Sequence, residues 1–427
     1  MEIYYKILEK TYESYKPDFT YEKGLNTITG CSEEFEQETM NGFWITQLDH
    51  IEKFYDRGTI LAIIKLPTED LDFQMTKHDN YCRSNKIIIC EEFSLYDIKT
   101  YEKFGLNILK NKNIVNFASR DNNIDFLNWW LDSGLELLYG YAAIDDASLR
   151  NHVNVLDWWL ASGLKLQYSR LAIGYASLYG HVKALDWWLN SGLELRYDVS
   201  AINDASWNGR IEVLDWWLNS GLELRYSKDA IAYASSCGRV EVLDWWLNSG
   251  LKLRYDTYAI GYASSYGHVK MLDWWFNSGL KLRYDNYAIR YASSYGHVNM
   301  LDWWFNSGLE LRYGNDAIDG ASSNGHVNVL DWWLKSGLEL KCSEEAIDVA
   351  IKDNKKESVK WWIKSGLDLK HTKDIIQWAC ERGHLDILEL WYEMNLPFGS
   401  VKNALAWASQ NNHSEIIEWF QKNDFRE

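Results

Sequence analysis

Hydrophobic and polar positions recur along most of the chain with a period of 29 residues. The clearest sign of this period is the dipeptide Trp-Trp, which begins at positions 129, 158, 187, 216, 245, 274, 303, 332 and 361. Two weaker copies, Leu390-Trp391 and Trp419-Phe420, continue the same spacing. A fixed period of this kind is typical of repeat proteins, in which each unit buries its apolar face against its neighbours.

Each unit predicts two short helices. In residues 259–287 the first helix covers AIGYASSY and is broken by Gly267, and the second covers VKMLDWWFNS and ends at Gly279. A glycine followed by an apolar residue, here Leu280, is typical of a Schellman stop. Three positions before the alanine of most first helices stands a residue that suits an N-cap. These residues are Ser169, Asp198, Ser227, Asp256, Asp285, Ser343 and Thr372.

The period divides the chain into three predicted parts. Eleven units fill residues 114–427, which we interpret as the repeat array. Residues 96–113 read as a capping half-repeat, because Gly105 lies 29 positions before Gly134. Residues 1–95 lack the period and form the third part. The predicted fold class is therefore mainly α, a helical solenoid of about eleven 29-residue units preceded by a small α+β module.

The first 95 residues, which we call the leader module, alternate between strand and helix signals. Segments 3–8, 42–46, 59–67 and 85–93 are rich in β-branched and aromatic residues, which favours strands. Segment 48–58 reads as a helix that ends at its last glycine. This order predicts a helix between two strands.

Composition and charge exclude several classes of function. The 427 residues include 61 Asp and Glu against 44 Lys and Arg, a net charge of −17, which disfavours nucleic acids and anionic membranes as partners. We expect no signal peptide, because the first residues carry charges throughout, and no transmembrane helix, because no run of 18 apolar residues occurs. The six cysteines show no paired spacing and are expected to be free thiols in a reducing compartment. No catalytic triad, phosphate-binding loop or metal signature is present, so we expect a non-enzymatic protein with no cofactor and no metal site.

The unit resembles a known repeat family. Its string A-S-S-Y-G-H-V-x-V-L-D-W-W-L-x-S-G-L resembles the ankyrin repeat, in which an A-A-x-x-G-H turn precedes a helix of Val and Leu and then a Gly. Trp-Trp stands where that family has Leu-Leu, the Thr-Pro-Leu-His start is absent, and the unit is four residues shorter than the usual 33. The resemblance covers about three quarters of the chain and implies stacked helix pairs with a shortened connecting finger.

The leader module strengthens this resemblance. The segments YEKGLN (21–26), GFWITxLDHIxKFY (42–55), ILAIIKLP (60–67) and NKIII (85–89) together resemble the leader of ankyrin repeat proteins from mimivirus-like giant viruses. The resemblance implies a viral protein that acts in an infected host cell, with the host cytoplasm as its expected location. It implies no known activity.

The recurring Trp, His and Arg side chains are interpreted as structural. Trp-Trp occupies the Leu-Leu core position, so we expect Trp245→Ala to cost about 3–5 kcal/mol. The basic residue after each helix-breaking glycine, such as His268, is expected to act as a cation at the end of the first helix. Arg196, Arg225, Arg254, Arg283 and Arg312 lie among acidic residues and are expected to form a solvated, ion-paired surface.

Two candidates in the leader module have simple structural alternatives. His78, Cys82 and Cys90 contain metal-binding atoms, but their spacing matches no strong zinc pattern. The segment Leu66-Pro67-Thr68-Glu69 resembles the start of an F-box and follows a strand-like run, so a turn at the end of a strand is favoured.

The sharpest binding candidates are aromatic residues on the first helices. If these helices follow ankyrin geometry, their aromatic side chains point to the concave face, where tyrosine supplies contact area at low conformational cost. The alternative is that they pack between adjacent helices. The candidate protein-binding residues are Tyr175, Tyr179, Trp207, Tyr233, Tyr258, Tyr262, Tyr266, Tyr287, Tyr291 and Tyr295.

These observations lead to one main hypothesis of function. We expect a monomeric protein-protein interaction scaffold that presents a concave ankyrin-like surface to a host or viral protein. The alternatives are a substrate adaptor for a host ubiquitin ligase, an enzyme housed in residues 1–95, and a structural or virion role.

Overall fold

The structure is a computed structural model that describes residues 2–9, 20–28, 42–343, 346–367 and 375–423. Its contacts separate into two compact parts, residues 1–201 and residues 202–427. The predicted fold class is confirmed: the chain is mostly helical, with a small strand-containing module at its start.

The leader module, which belongs to residues 1–201, contains two antiparallel sheets. One sheet has the strand order β1-β4-β7-β2 and the other has the order β3-β6-β5. The strands are β1 (Tyr4–Leu8), β2 (Gly24–Thr27), β3 (Phe43–Ile45), β4 (Ile60–Lys65), β5 (Met75–Lys77), β6 (Cys82–Ser84) and β7 (Lys86–Ser94).

The four predicted strand segments correspond to β1, β3, β4 and β7, whereas the strands β2, β5 and β6 were not predicted. Tyr4, Phe43 and Ile64 are among the side chains that form the core of this module.

The predicted helix of the leader module lies between β3 and β4, as expected, but it is a 3-10 helix over Leu48–Arg57 rather than an α-helix. Gly58 ends it with φ +155°, and a Cβ atom there would lie 2.1 Å from the backbone oxygen of Leu8. Only glycine fits this close approach of two backbones.

The segment that joins the leader module to the repeats contains one α-helix, α1 (Ile98–Phe104), and a 3-10 turn, Ile108–Lys110. Gly105 ends α1 in the left-handed conformation, as Gly134 ends a second helix of the array. The ring of Phe104 packs edge-on against Phe93 of β7 at 4.9 Å.

Eleven helix pairs follow within the described residues, which agrees with the predicted eleven units. The first helices are α2 (Ile114–Arg120), α4 (Ala142–Leu149), α6 (Leu171–Tyr179), α8 (Val199–Trp207), α10 (Asp229–Ser236), α12 (Thr257–Ser265), α14 (Asn286–Ser294), α16 (Asp316–Asn324), α18 (Ala346–Lys352), α20 (Ile375–Arg382) and α22 (Val401–Gln410).

The second helices are α3 (Ile124–Ser133), α5 (Val153–Ala161), α7 (Val182–Asn190), α9 (Ile211–Asn219), α11 (Val240–Asn248), α13 (Val269–Asn277), α15 (Val298–Asn306), α17 (Val327–Lys335), α19 (Lys356–Lys364), α21 (Leu385–Glu393) and α23 (Ser414–Lys422).

Side-chain caps begin several first helices, as predicted. The Asp256 side chain accepts a hydrogen bond from the backbone N–H of Tyr258 at 3.0 Å, and Asp285 does the same for Tyr287. Ser169, Asp198 and Ser227 cap their helices in the same way. The predicted cap Thr372 lies outside the described residues.

Each pair buries small residues of its first helix and larger residues of its second helix. In α12 the buried face contains Ala259, Ile260 and Ala263, and in α13 it contains Leu272 and Trp275. The small alanines let neighbouring first helices approach closely, while the second helices supply most of the apolar volume.

Candidate protein-binding surface

The first helices position the candidate tyrosines by helical spacing. Tyr258, Tyr262 and Tyr266 follow one another at intervals of four residues on α12 and at its end, so they lie on one side of the helix. Ala259 and Ala263 on the adjoining face are buried against the neighbouring helices. The tyrosine side is therefore the one left open.

Exposure separates the candidates into two groups. Tyr266 is 61% exposed and Tyr295 is 56% exposed, whereas Tyr175, Tyr262 and Tyr291 are half-buried. The remaining candidates are exposed, and these are Tyr179, Trp207, Tyr233, Tyr258 and Tyr287.

The tyrosines of one helix contact each other. The rings of Tyr258 and Tyr262 stack with centroids 5.6 Å apart and an interplanar angle of 28°. On the next first helix, Tyr287 and Tyr291 repeat this arrangement at 5.6 Å and 25°. These stacks hold the rings of both helices in similar orientations.

Aromatic residues also lie near each other on neighbouring first helices. The ring of Trp207 lies 6.1 Å from that of Tyr233. Burial raises the pKa of Tyr262, and the nearby hydroxyls of Tyr233, Tyr258 and Tyr291 raise it further. Residues 202–427 therefore bring eight candidates into one surface, which we call the tyrosine surface. It consists of Trp207, Tyr233, Tyr258, Tyr262, Tyr266, Tyr287, Tyr291 and Tyr295.

The other two candidates, Tyr175 and Tyr179, lie on α6 within residues 1–201. The Tyr179 ring stacks on His181 with centroids 6.3 Å apart.

Two cations on the tyrosine surface were missed by sequence reasoning. The Lys228 ammonium lies 5.3 Å from the centroid of Tyr258 and binds Asp256 at 2.6 Å, a hydrogen bond that raises the pKa of Lys228. The Arg290 guanidinium lies 5.7 Å from the centroid of Tyr287.

No repeat signal marks Arg290, whereas the position of Lys228 is also basic in several other units, for example at Arg170. Most units carry a small or acidic residue or an asparagine where Arg290 stands. Arg290 also pairs with Asp316 at 3.5 Å.

The expectation that both tryptophans of each pair lie in the core is wrong for the first one. Trp246 is fully buried, whereas Trp245 is half-buried. The Trp245 Nε1 donates a hydrogen bond to the Asp215 carboxylate of the preceding unit at 2.7 Å. Because the two residues are about 100° apart around the helix, only one of them can face the core.

The recurring histidines bind a backbone carbonyl at the end of the first helix of the preceding unit, not of their own unit. The Nε2 of His268 donates to the carbonyl of Ser236, the last residue of α10, at 2.9 Å. Burial lowers the pKa of His152 and His326, which favours the neutral ring. The Nδ1 side of the ring lies over the glycine of the preceding unit, for example Gly238.

The arginine row is ion-paired, as expected, at Arg196, Arg225 and Arg312, whereas Arg254 and Arg283 donate to backbone oxygens of the preceding unit. Arg196 binds Glu194 at 2.8 Å, and its guanidinium lies 4.7 Å from the centroid of the Tyr168 ring. The Tyr168 hydroxyl donates to the backbone oxygen of Glu194 at 3.1 Å. The same stacking occurs for Arg254 on Tyr226, Arg283 on Tyr255 and Arg312 on Tyr284.

In the leader module, the His78 ring stacks on Tyr81 at 4.5 Å, while Cys82 and Cys90 are free thiols on β6 and β7. Within the described ranges, no cluster of three or more His, Cys, Asp or Glu side chains is suited to a metal ion. The segment that resembles an F-box forms a turn after β4, in which Asp70 N donates to the Pro67 carbonyl.

Lys6 in β1 is a feature that sequence reasoning missed. Its Nζ donates to the backbone oxygen of Trp44 at 2.8 Å, and burial lowers its pKa to about 7. The lowered pKa follows from removing an ammonium group from water, which disfavours its charged form.

None of the helices that the structure describes is long and apolar enough to cross a membrane.

Comparison with known proteins identifies the repeats. The sequence model of the family described as "Ankyrin repeats (many copies)" matches residues 260–304 and 347–390. Uncharacterized protein L696 of Acanthamoeba polyphaga mimivirus is 41% identical over 101 residues, which are 24% of this chain and 32% of that protein. Putative ankyrin repeat protein R896 of the same virus is 28% identical over 137 residues, or 30% of this chain and 41% of that protein.

The chain thus spans less than half the length of these two relatives. Among solved structures, the human ASB11 ankyrin repeat domain is 16% identical with a TM-score of 0.36, over 44% of this chain and 96% of that domain. Residues 260–304 and 347–390 thus match ankyrin repeats, and the resemblance to ankyrin repeat proteins of a mimivirus-like giant virus that the motifs indicate is confirmed.

Proposed function

We propose that the protein is a non-enzymatic scaffold that binds another protein through the tyrosine surface. The observation that carries this proposal is the exposure of aromatic rings on consecutive first helices, including Trp207, Tyr233, Tyr258 and Tyr287. Exposed aromatic clusters of this kind are typical of protein interfaces, because each ring buries a large area with few rotatable bonds.

The stacking of the rings supports a binding role. Tyr258 and Tyr262 hold each other in place, as do Tyr287 and Tyr291, so less side-chain freedom is lost when a partner covers them. Their hydroxyls give a partner polar groups to bond at the rim of an apolar patch.

The partner belongs to the host or to the virus, and the protein acts in the host cytoplasm as a monomer. The net charge of −17 disfavours nucleic acid as the partner, because a polyanion needs neutralising cations. We retain the division into a leader module (1–95), a capping half-repeat (96–113) and a repeat array (114–427) as part of this proposal.

The test is affinity capture from host lysate with the full-length protein and with the variant Tyr266→Asn/Tyr295→Asn. Asparagine is compatible with the fold at these positions, because Asn208 and Asn324 occupy the same place in other units. We expect a protein that the wild type retains to be lost from the variant, because two large contacts are removed while the helices remain.

The matched control is Phe276→Leu/Phe305→Leu on the second helices, since Leu247 occupies the same position there. This control is expected to retain the captured protein. Retention of the same proteins by the Tyr→Asn variant would contradict the use of the tyrosine surface, provided that its melting temperature matches that of the wild type.

A further inference from the structure

The second helices of residues 202–427 carry a row of exposed apolar side chains that the tyrosine surface does not include. Leu247, Phe276, Phe305 and Leu334 occupy the same position in four consecutive units and are 37%, 48%, 45% and 38% exposed. Each follows the buried tryptophan directly and points away from the core. A large apolar residue repeated at an open position indicates a contact surface.

A row of carboxylates lies beside these apolar side chains. Asp244, Asp273 and Asp302 each stand three residues before the exposed Leu or Phe of their helix, so the two side chains are neighbours on one helix face. All three carboxylates are exposed, as is Asp215 one unit earlier. Together, Asp215, Asp244, Asp273, Asp302, Leu247, Phe276, Phe305 and Leu334 form what we call the acidic outer stripe.

Each carboxylate is held in place by the following unit. The Nε1 of Trp274 donates to Asp244 Oδ1 at 2.7 Å, and Trp303 donates to Asp273 at the same distance. This bond engages one oxygen of each carboxylate, while the residue as a whole stays exposed. Within the described ranges, Asp215, Asp244, Asp273 and Asp302 have no ion pair with a Lys, Arg or His side chain.

The charge of this face determines the kind of partner. The five helices α9, α11, α13, α15 and α17 contain seven acidic residues and two basic ones, Lys270 and Lys335. A second copy of the chain would bring carboxylates against carboxylates, and an anionic membrane would be repelled in the same way. The complementary partner has apolar and basic side chains.

The spacing of the stripe suits an α-helix laid across the second helices. Packed helices lie about 8–10 Å apart, and seven residues of a partner helix advance about 10.5 Å. An apolar residue at every seventh position would therefore meet one Leu or Phe per unit, while Lys or Arg next to it would reach the aspartates.

We propose that the acidic outer stripe binds a basic amphipathic helix of another protein. The apolar row buries the apolar side of that helix, and the aspartates pair with its Lys and Arg residues. This binding mode does not depend on the tyrosine surface.

The test uses the full-length protein and a fluorescent helical peptide of about four heptads, with Leu at every seventh position and Lys three and four residues after each Leu. Binding is measured by fluorescence anisotropy at low and moderate salt. The variant Asp244→Asn/Asp273→Asn/Asp302→Asn removes the charges and retains an acceptor for each tryptophan, as Asn128 does for Trp158 at 2.8 Å. We expect this variant to bind the peptide about tenfold or more weakly, with a smaller dependence on salt.

Two controls separate charge from apolar contact. A peptide with Glu in place of Lys is expected not to bind, and Phe276→Ala/Phe305→Ala is expected to weaken binding of the Lys peptide. Equal binding of the Lys and Glu peptides, or unchanged affinity in the triple Asn variant, would overturn the proposal. A peptide with Lys but without Leu that binds as tightly as the original would also overturn it.

Discussion

The indole Nε1 of Trp246 donates a hydrogen bond to the hydroxyl of Ser206, 40 residues earlier in the chain, at 3.1 Å. Both side chains are buried, and the bond joins the second helix of one unit to the first helix of the preceding unit. The Ser206 hydroxyl in turn donates to the carbonyl of Ile202 at 2.9 Å. A tryptophan in a core otherwise suited to leucine needs a partner for its N–H, and this serine supplies it.

Within the described residues the bond recurs in at least five other units, which makes it a regular part of the array. The pairs are Trp159–Ser119, Trp188–Ser148, Trp304–Ser264, Trp333–Ser293 and Trp362–Ser322.

Replacing the buried tryptophan should cost more than replacing its neighbour. We expect Trp246→Ala to lower the free energy of unfolding by about 3–5 kcal/mol, because it opens a large cavity between units. Trp245→Ala should cost clearly less, because that side chain is only half-buried. The measurement is urea unfolding followed by far-UV circular dichroism, and equal losses in the two variants would contradict the assignment of Trp246 to the core.

The hydrogen bond itself can be tested with phenylalanine. Trp246→Phe removes the N–H donor, whereas in Trp275→Phe no bond is lost, since Trp275 Nε1 and Ser235 Oγ are without partners in the described part of the chain. We expect the Trp246 variant to be less stable than the Trp275 variant by about 1 kcal/mol. Equal destabilisation would show that packing alone accounts for the cost.

The repeat units and their helices were predictable because both follow a local pattern. The period of 29, the glycine stops and the capping residues all lie within one unit, and the structure confirms them. The different environments of Trp245 and Trp246 were not predictable in the same way, because both recur with the same period. Only the packing of the next unit distinguishes them.

In the leader module, β5 (MTK) and β6 (CRS) lack an alternating apolar pattern, so they could not be recognised before their sheet was known. The residues of the tyrosine surface were predicted as a set, but the two cations over its rings were missed. Arg290 is the only basic residue at its position, and the position of Lys228 is basic in only some units, for example at Arg170. The place of each tyrosine in binding stays a prediction.

Two glycines with the same backbone conformation should differ in their tolerance of alanine. Gly267 and Gly279 both have φ +73°, so alanine is strained at either position. A Cβ atom on Gly267 would also lie 2.9 Å from His297 Nδ1, whereas a Cβ atom on Gly279 meets nothing within 4 Å. We therefore expect Gly267→Ala to lower the melting temperature more than Gly279→Ala does.

The double variant Gly267→Ala/His297→Ala isolates the contact with the ring. If the ring causes the extra loss, the cost of Gly267→Ala should fall to that of Gly279→Ala once His297 is absent. A cost that does not change on removal of His297 would contradict the packing role of this histidine.

The stability of the array should depend on pH through its histidines. Burial lowers the pKa of His326 below its usual 6.5, although a hydrogen bond to the Ser294 carbonyl opposes this shift. The unfolded chain then takes up a proton more readily than the folded one. The stabilising contribution is complete above the unfolded pKa near 6.5 and is lost as the pH falls towards the lower folded pKa.

His326→Lys tests this effect, because Lys355 occupies the same position one unit later and a lysine side chain does not ordinarily titrate in this range. Between about pH 7.5 and about pH 5, the wild type should lose more unfolding free energy than the variant. The comparison cancels the titration of the other histidines. Parallel pH profiles would contradict a lowered pKa at His326.

Side chains accept the backbone N–H groups at the start of several first helices. Asp145 in α4 accepts hydrogen bonds from the backbone N–H of Ser169 at 3.0 Å and from its hydroxyl at 2.5 Å. Where the Asp145 position holds Gly174, the next cap is Asp198, which accepts the N–H of Ser200 at 2.9 Å. Asp256 follows Ala232 and Asp285 follows Gly261 in the same way. In these units a carboxylate lies either on the preceding unit, where it accepts the N–H of the cap, or on the cap itself, where it accepts the N–H two residues later.

The alternation between these two arrangements predicts that changes at positions 145 and 169 partly offset each other in unfolding free energy. Asp145→Ala should lower the unfolding free energy by about 1–3 kcal/mol, because the Ser169 N–H loses its acceptor. Ser169→Asp alone should also destabilise the chain, because it places a second carboxylate beside a buried one whose pKa burial already raises. The double variant recreates the arrangement of Gly174 and Asp198, so its cost should be smaller than the sum of the two single costs by about 1 kcal/mol or more. A double-mutant cycle by urea unfolding measures this coupling, and additive costs would show that the two positions are independent.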